Sequence, residues 1–254
     1  QRELWAKGAD TAVVGALIPR GSATRVSDGW RVTGEWSFTS AVEMSDWALV
    51  CALVPGTGRP EPWFFAVPRA DYRIMDTWNS VGMRGTASHT LQTDNVFVPE
   101  QRAFVRQAMV EGQSVGSSAR CHTAPLRLLS GLLFGAPALG AARAALRVWA
   151  ADCGARADDA ATGPYTAMAR ATIAVDAAEL LLARAAQVAD AHRVSGEELV
   201  RTPADCAYAV ERLLDVIEQL LRSAGSSSQL LGHPLQRVWR DVHTLASHVA
   251  LRFD

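Results

Sequence analysis

The feature that most constrains this chain is a change in hydrophobic period partway along it. Between about Thr11 and Phe104, apolar residues alternate in short runs broken by turn residues, as in Gly29-Trp30-Arg31-Val32-Thr33-Gly34, Trp47-Ala48-Leu49-Val50-Cys51-Ala52-Leu53-Val54, Trp63-Phe64-Phe65-Ala66-Val67 and Val96-Phe97-Val98. A two-residue period rich in β-branched and aromatic residues predicts antiparallel strands. Ser27-Asp28-Gly29 reads as a hairpin turn, and Pro55 to Pro60 as a loop. After about Thr123 the period becomes three to four in long alanine- and leucine-rich stretches, which predicts helices. Proline near the start of each places them at roughly Pro125–Ala155, Pro164–Val194, Pro203–Ala224 and Pro234–Phe253, with Gly196 and Gly225 ending the second and third. The fold class expected is α+β: an antiparallel, barrel-like β domain over residues 1–105, a linker over 106–122, and an antiparallel four-helix bundle over 123–254.

Bulk properties narrow the function classes. The formal net charge of -1 gives no broad basic field, so no nucleic-acid partner is expected. Cys51, Cys121, Cys153 and Cys206 are far apart, without metal-ligand spacing, and read as reduced, mostly buried thiols; no metal site is expected. The opening Gln1-Arg2-Glu3-Leu4-Trp5 does not resemble a signal peptide, and the charge-free apolar stretch between Arg127 and Arg143 is too short to span a bilayer. A cytoplasmic protein without membrane attachment is the expectation. Lys7 is the single lysine, a coding bias with no functional content.

Several motifs carry a resemblance. Gly15-Ala16-Leu17-Ile18-Pro19-Arg20-Gly21-Ser22-Ala23, Gly34-Glu35-Trp36-Ser37-Phe38-Thr39-Ser40, Trp78-Asn79-Ser80-Val81-Gly82-Met83-Arg84-Gly85-Thr86-Ala87-Ser88 and Asp94-Asn95-Val96-Phe97-Val98-Pro99 resemble the middle domain of the acyl-CoA dehydrogenase superfamily. Together with His233-Pro234-Leu235-Gln236-Arg237-Val238-Trp239-Arg240-Asp241-Val242-His243, they are most similar to the oxygenase components of two-component flavin monooxygenases, such as 4-hydroxyphenylacetate and naphthocyclinone hydroxylases. The resemblance covers essentially the whole chain and corresponds to the latter two-thirds of such proteins; their N-terminal helical domain, roughly one domain of a hundred residues, has no counterpart here. It implies reduced FMN or FAD from a separate flavin reductase, a small aromatic, polyketide or indole substrate, O₂ activated as a C4a-hydroperoxyflavin, and a homotetramer.

The resemblance also assigns residues. Phe38, Thr39 and Ser40 would lie at the flavin, with the Ser40 hydroxyl facing N5; Arg84, Ser226 and Ser227 would meet its phosphate tail. His122 and Ser130 are substrate-site candidates, and His89 is a weaker one. Superfamily dehydrogenases use a carboxylate base on the first bundle helix or near the end of the last, yet no Asp or Glu occurs between Glu111 and Asp152, and His248-Val249 stands at the second place. His248 and His243 are therefore the candidate bases, since neutral imidazole accepts a phenolic proton near neutral pH. Five residues apart on one helix, they would be rotated by about 140° and could not serve equally. Arg240 and Asp241 are expected to hold the last helix by an ion pair or hydrogen bonds. Trp36, Trp47, Trp63 and Trp78 read as core and interface aromatics. Alternatives left open are an acyl-CoA dehydrogenase-like oxidoreductase, an amino-sugar N-oxygenase and a non-catalytic relative of the fold.

Overall fold

The computed structural model describes residues 2–6, 8–56, 58–154 and 163–253. They form two compact units, Gln1–Asn79 with Arg84–Glu111, and Ser80–Met83 with Gly112–Asp254.

The first unit is an eight-stranded sheet of β1 (Val13–Ala16), β2 (Ser22–Val26), β3 (Gly29–Thr39), β4 (Trp47–Val54), β5 (Glu61–Pro68), β6 (Arg73–Met75), β7 (His89–Pro99) and β8 (Ala103–Val105). The strand order is β6-β7-β3-β2-β4-β5-β8, with β1 also on β4. Pairing is antiparallel except where β1 and the first residue of β2, Ser22, run parallel to β4. Asp28 adopts φ 63° in the turn that pairs Val26 with Gly29, a conformation that Asp tolerates better than most residues. Alternation along β3 sends Trp30, Val32 and Trp36 inward against Val50, Phe65 and Leu91. Fully burying side chains such as Phe65 and Leu91 contributes roughly 1.5–3 kcal/mol each. Trp36 also satisfies its indole N–H by donating to the Cys51 carbonyl at 2.7 Å. A short helix, α1 (Arg106–Val110), follows β8.

The second unit holds α2 (Arg120–Thr123), α3 (Leu126–Gly154), α4 (Gly163–Asp190), α5 (Gly196–Ser223) and α6 (Pro234–Ala246). The last four form the bundle, and its core interleaves Ala138, Ala142, Ala145 and Trp149 with Val175, Leu182, Val210, Leu213, Ile217, Leu235 and Val242. Small residues let the helices approach closely: a Cβ on Gly131 of α3 would sit 2.6 Å from the Cβ of Cys206 on α5. By length and composition alone α3 could cross a membrane. Its Leu128, Ala138, Ala142, Ala145, Leu146 and Trp149 are instead packed into helix–helix cores. The ion pairs Arg143–Glu179 and Arg184–Asp205 bridge neighbouring helices at the bundle surface.

Two helix boundaries differ from the sequence expectation. Gly196 opens α5 instead of ending α4, because Ser195 and Glu198 form a capping box: the Glu198 amide donates to Ser195 Oγ at 3.2 Å, and the Ser195 amide to Glu198 Oε2 at 2.8 Å. Pro203 therefore lies inside the helix. At the chain's far end, α6 stops at Ala246; Ser247 turns its hydroxyl back to the Thr244 carbonyl at 2.7 Å, and His248 is extended before a 3₁₀ turn, Val249–Leu251. No glycine or proline marks that stop. Cys51 and Cys206 are buried, which pushes the pKa of both thiols up to about 11, while Cys153 is half-buried and Cys121 is exposed.

Candidate active site

In the β unit the regular alternation of β3 breaks at its end. The register against β7 shifts between Trp36 and Thr39, and Phe38 takes φ 62°. Phe38, which would otherwise face the core as Trp36 does, is turned out and is 74% exposed, while Thr39 is turned in and gives its hydroxyl to the Trp36 carbonyl at 3.0 Å. The Thr39 side chain is thus occupied inside the fold, and the whole residue is buried, paired with His89 of β7.

Beside Phe38 runs a chain of three hydroxyls. Ser40 Oγ lies 2.9 Å from Ser88 Oγ, which lies 2.7 Å from Thr86 Oγ1. The Ala41 amide donates to the Thr86 carbonyl at 2.7 Å, binding the end of β3 to the turn before β7. Phe38, Ala41 and Ala87 all have positive φ, at 62°, 58° and 42°, a concentration of left-handed non-glycine residues that costs of order 1–3 kcal/mol each. Such strain gathers where side chains must be aimed. Trp78 meets Phe38 edge-on, with centroids 6.1 Å apart at 84°, and Arg84 is exposed in the adjoining 3₁₀ turn Arg84–Thr86. An exposed aromatic edge, hydroxyls at its side and a guanidinium nearby fit a flavin, which offers a flat ring, polar ring edges and an anionic tail.

In the helical unit, His248 stacks on Phe134 of α3, centroids 3.8 Å apart and planes 24° from parallel. Its Nδ1 accepts the Ala250 amide at 3.1 Å, so the neutral ring carries its proton on Nε2. The residue is partly exposed, and the burial it does have lowers its pKa from the ordinary histidine value. Ser130 lies one turn before Phe134 on the same face of α3.

His243 sits differently. Its Nδ1 bonds the Trp239 carbonyl at 2.8 Å, its ring packs on Trp239 at 4.2 Å, and its Nε2 lies 3.7 Å from Glu218, which also accepts the Trp239 indole N–H at 2.5 Å. The 140° separation expected on one helix does not apply, since His248 lies beyond the end of α6. His122 is exposed on α2 and bonded to Ser117 at 2.7 Å. Ser226 and Ser227 are exposed in a 3₁₀ turn after α5, opened by Gly225 at φ 81°.

Arg240 and Asp241 act through hydrogen bonds to the segment 80–83. Asp241 accepts the Met83 amide at 2.6 Å and Arg240 donates to the Val81 carbonyl at 3.4 Å. The first acid on α3, Asp152, faces Nε2 of His233 at 3.2 Å. Sequence reasoning missed Phe134, Thr86 and Ser88: the last two lie in a family motif without assigned roles, and Phe134 looks like one more core residue of an apolar helix, while Trp78, expected as a core or interface aromatic, lies against the exposed Phe38.

The chain matches the family model described as acyl-CoA dehydrogenase, C-terminal domain, over residues 132–253. It is 33% identical to the flavin-dependent monooxygenase oxygenase subunit HsaA of Rhodococcus jostii (strain RHA1), over 98% of this chain and 70% of that protein. It is 31% identical to the FADH(2)-dependent resorcinol hydroxylase oxygenase component of Rhizobium sp. (strain MTP-10005), over 100% of this chain and 68% of that one. The crystal structure of 3-HSA hydroxylase from Rhodococcus sp. RHA1 superposes with a TM-score of 0.91 at 31% identity, covering 100% of this chain and 69% of that structure. The fold is therefore the acyl-CoA dehydrogenase fold, with an antiparallel-rich sheet and a helical bundle. Within it, the chain belongs to the oxygenase subunits of flavin-dependent monooxygenases, enzymes of the oxidoreductase class.

Proposed function

We propose that this enzyme is the oxygenase component of a two-component system that hydroxylates a phenolic or related aromatic ring, using O₂ and reduced FMN or FAD delivered by a separate reductase. The observation that carries the reading is the Ser40–Ser88–Thr86 hydroxyl chain beside the outward-turned Phe38. Reduced flavin, when bound, supplies two electrons, so that one oxygen atom enters a ring C–H bond and the other leaves as water. Phe38 would pack on its ring, Ser40 would hydrogen-bond its edge, and Arg84 would neutralise its phosphate. The exposed Ser226 and Ser227 turn would serve a flavin tail in a homotetramer. Exposed Leu133, Ile173 and Leu180 on α3 and α4 support such self-association. Cytoplasmic placement beside the reductase completes the reading.

His248 is the substrate-facing group. The sequence nominates it as a base, but with Nδ1 taken by Ala250 its free nitrogen is a donor. It therefore serves by donating from Nε2 to the substrate's phenolic oxygen, favouring the ionised, more nucleophilic ring. Phe134 and Ser130 line the same position, whereas His243 is committed to Trp239 and Glu218, and His122 to Ser117. Acyl-thioester dehydrogenation is not supported, because α3 carries no acid before Asp152 and that acid is paired with His233.

The test supplies reduced flavin, isotope-labelled O₂ and a panel of phenols to the intact protein. One labelled oxygen atom in a hydroxylated product supports the reading. Bleaching of oxidised FAD by acyl thioesters without oxygen, and no labelled product, overturns it.

A further inference from the structure

His89 opens β7 and is buried at 9% exposure. Its Nδ1 accepts two backbone amides at once, from Thr77 at 3.1 Å and Trp78 at 3.2 Å, and also lies 3.2 Å from the exposed Asp76 carboxylate. A neutral imidazole that accepts at Nδ1 must carry its proton on Nε2, and that nitrogen faces the Glu43 carboxylate at 3.6 Å. The next residue repeats the attachment: the Thr90 amide donates to Thr77 Oγ1 at 3.0 Å, and the two threonine hydroxyls lie 2.8 Å apart. The backbone that carries Trp78 is thus fastened to the start of β7 from two successive residues.

What this fastening holds is the aromatic half of the candidate site. Trp78 stands edge-on to Phe38, and Phe38 is exposed and held in a left-handed conformation. An exposed Phe has no core to fix its ring, so the Trp78 edge is the contact that limits it. Immediately before His89, Ser88 bonds Ser40 and Thr86. One dipeptide, Ser88-His89, therefore fixes both halves, the serine on the hydroxyls and the histidine on the aromatic pair.

We propose that His89 is a positioning residue for the flavin face: by accepting the Thr77 and Trp78 amides it sets Trp78 against Phe38. The inference rests on the reading of that face as the flavin site, and the experiment separates the two. Near-ultraviolet circular dichroism without flavin gives the signal of the Phe38–Trp78 pair as the difference between the wild type and Phe38→Ala. His89→Leu should lose that signal, and His89→Asn, whose amide oxygen can occupy the place of Nδ1, should restore most of it. Reduced-flavin affinity should fall roughly tenfold in His89→Leu and recover in His89→Asn, a change of about 1.4 kcal/mol. In a Trp78→Leu background, His89→Leu should cost little further affinity, as expected when one residue acts through the other. An unchanged dichroism signal in His89→Leu overturns the positioning role whatever the flavin affinity. A lost signal with flavin affinity unaltered in both His89→Leu and Phe38→Ala overturns the flavin face on which it rests.

Discussion

The imidazole of His248 lies flat on the ring of Phe134, 3.8 Å between centroids, although 114 positions separate them in the chain. The stack fixes the ring plane, and the Ala250 amide fixes which nitrogen carries the proton. Neither would hold if α6 continued through residue 248.

His248→Ala should lower hydroxylation by about 10²-fold or more, the lower range for loss of a positioned proton-transfer or hydrogen-bonding side chain. Reduced-flavin affinity should stay within a few fold. His248→Gln, which keeps an N–H near the Nε2 position, should retain more activity than His248→Ala. Equal losses in the two variants would return His248 to the role of proton acceptor, and turnover with a defined phenol measures both.

Burial lowers the His248 pKa, so the neutral ring persists below the ordinary histidine value of about 6.5. Protonation at Nδ1 would break the Ala250 bond that aims the ring, so the acid limb of kcat/KM due to this group should lie below that pH and vanish in His248→Gln. Stability follows the same sign. The unfolded chain binds the proton first, so stability falls as pH drops from about 6.5 toward the folded value and is insensitive to this group above it. Chemical denaturation of wild type and His248→Gln across that window reads the difference.

Ser40→Ala removes the exposed end of the hydroxyl chain while leaving Ser88 bonded to Thr86. Folding stability should change by no more than about 1 kcal/mol. The yield of hydroxylated product per O₂ consumed should fall and released peroxide rise. Coupling equal to wild type would remove Ser40 from the site.

Gly82→Ala tests the hold of segment 80–83 on α6. A Cβ there would lie 2.1 Å from the Arg240 carbonyl oxygen, a backbone atom that cannot swing aside. The expected cost is about 1–3 kcal/mol, as for overpacking of a close contact. Asp241→Asn, which keeps an oxygen acceptor for the Met83 amide at 2.6 Å, should cost less. Thermal unfolding of the two variants ranks them.

The amino-acid sequence determined by itself that this chain builds a sheet and then a bundle. Periods of two and of three to four are written in adjacent residues, and each demands its own kind of core. It also carried the family motifs, the lack of acids on α3 before Asp152 and the identity of His248. It misplaced the start of α5 because Pro203 signalled more loudly than the Ser195–Glu198 box, and it ran α6 too far because Ser247 and His248 end that helix through side-chain hydrogen bonds without glycine or proline. Tertiary structure alone decided that Phe38 turns out and Thr39 turns in, since this depends on a register shift against β7. It alone joined Ser40 to Ser88, His89 to the Trp78 amide and Phe134 to His248. Those pairs are distant in the chain, and hydrogen-bond direction and ring stacking exist only once the backbone has brought them within a few ångströms.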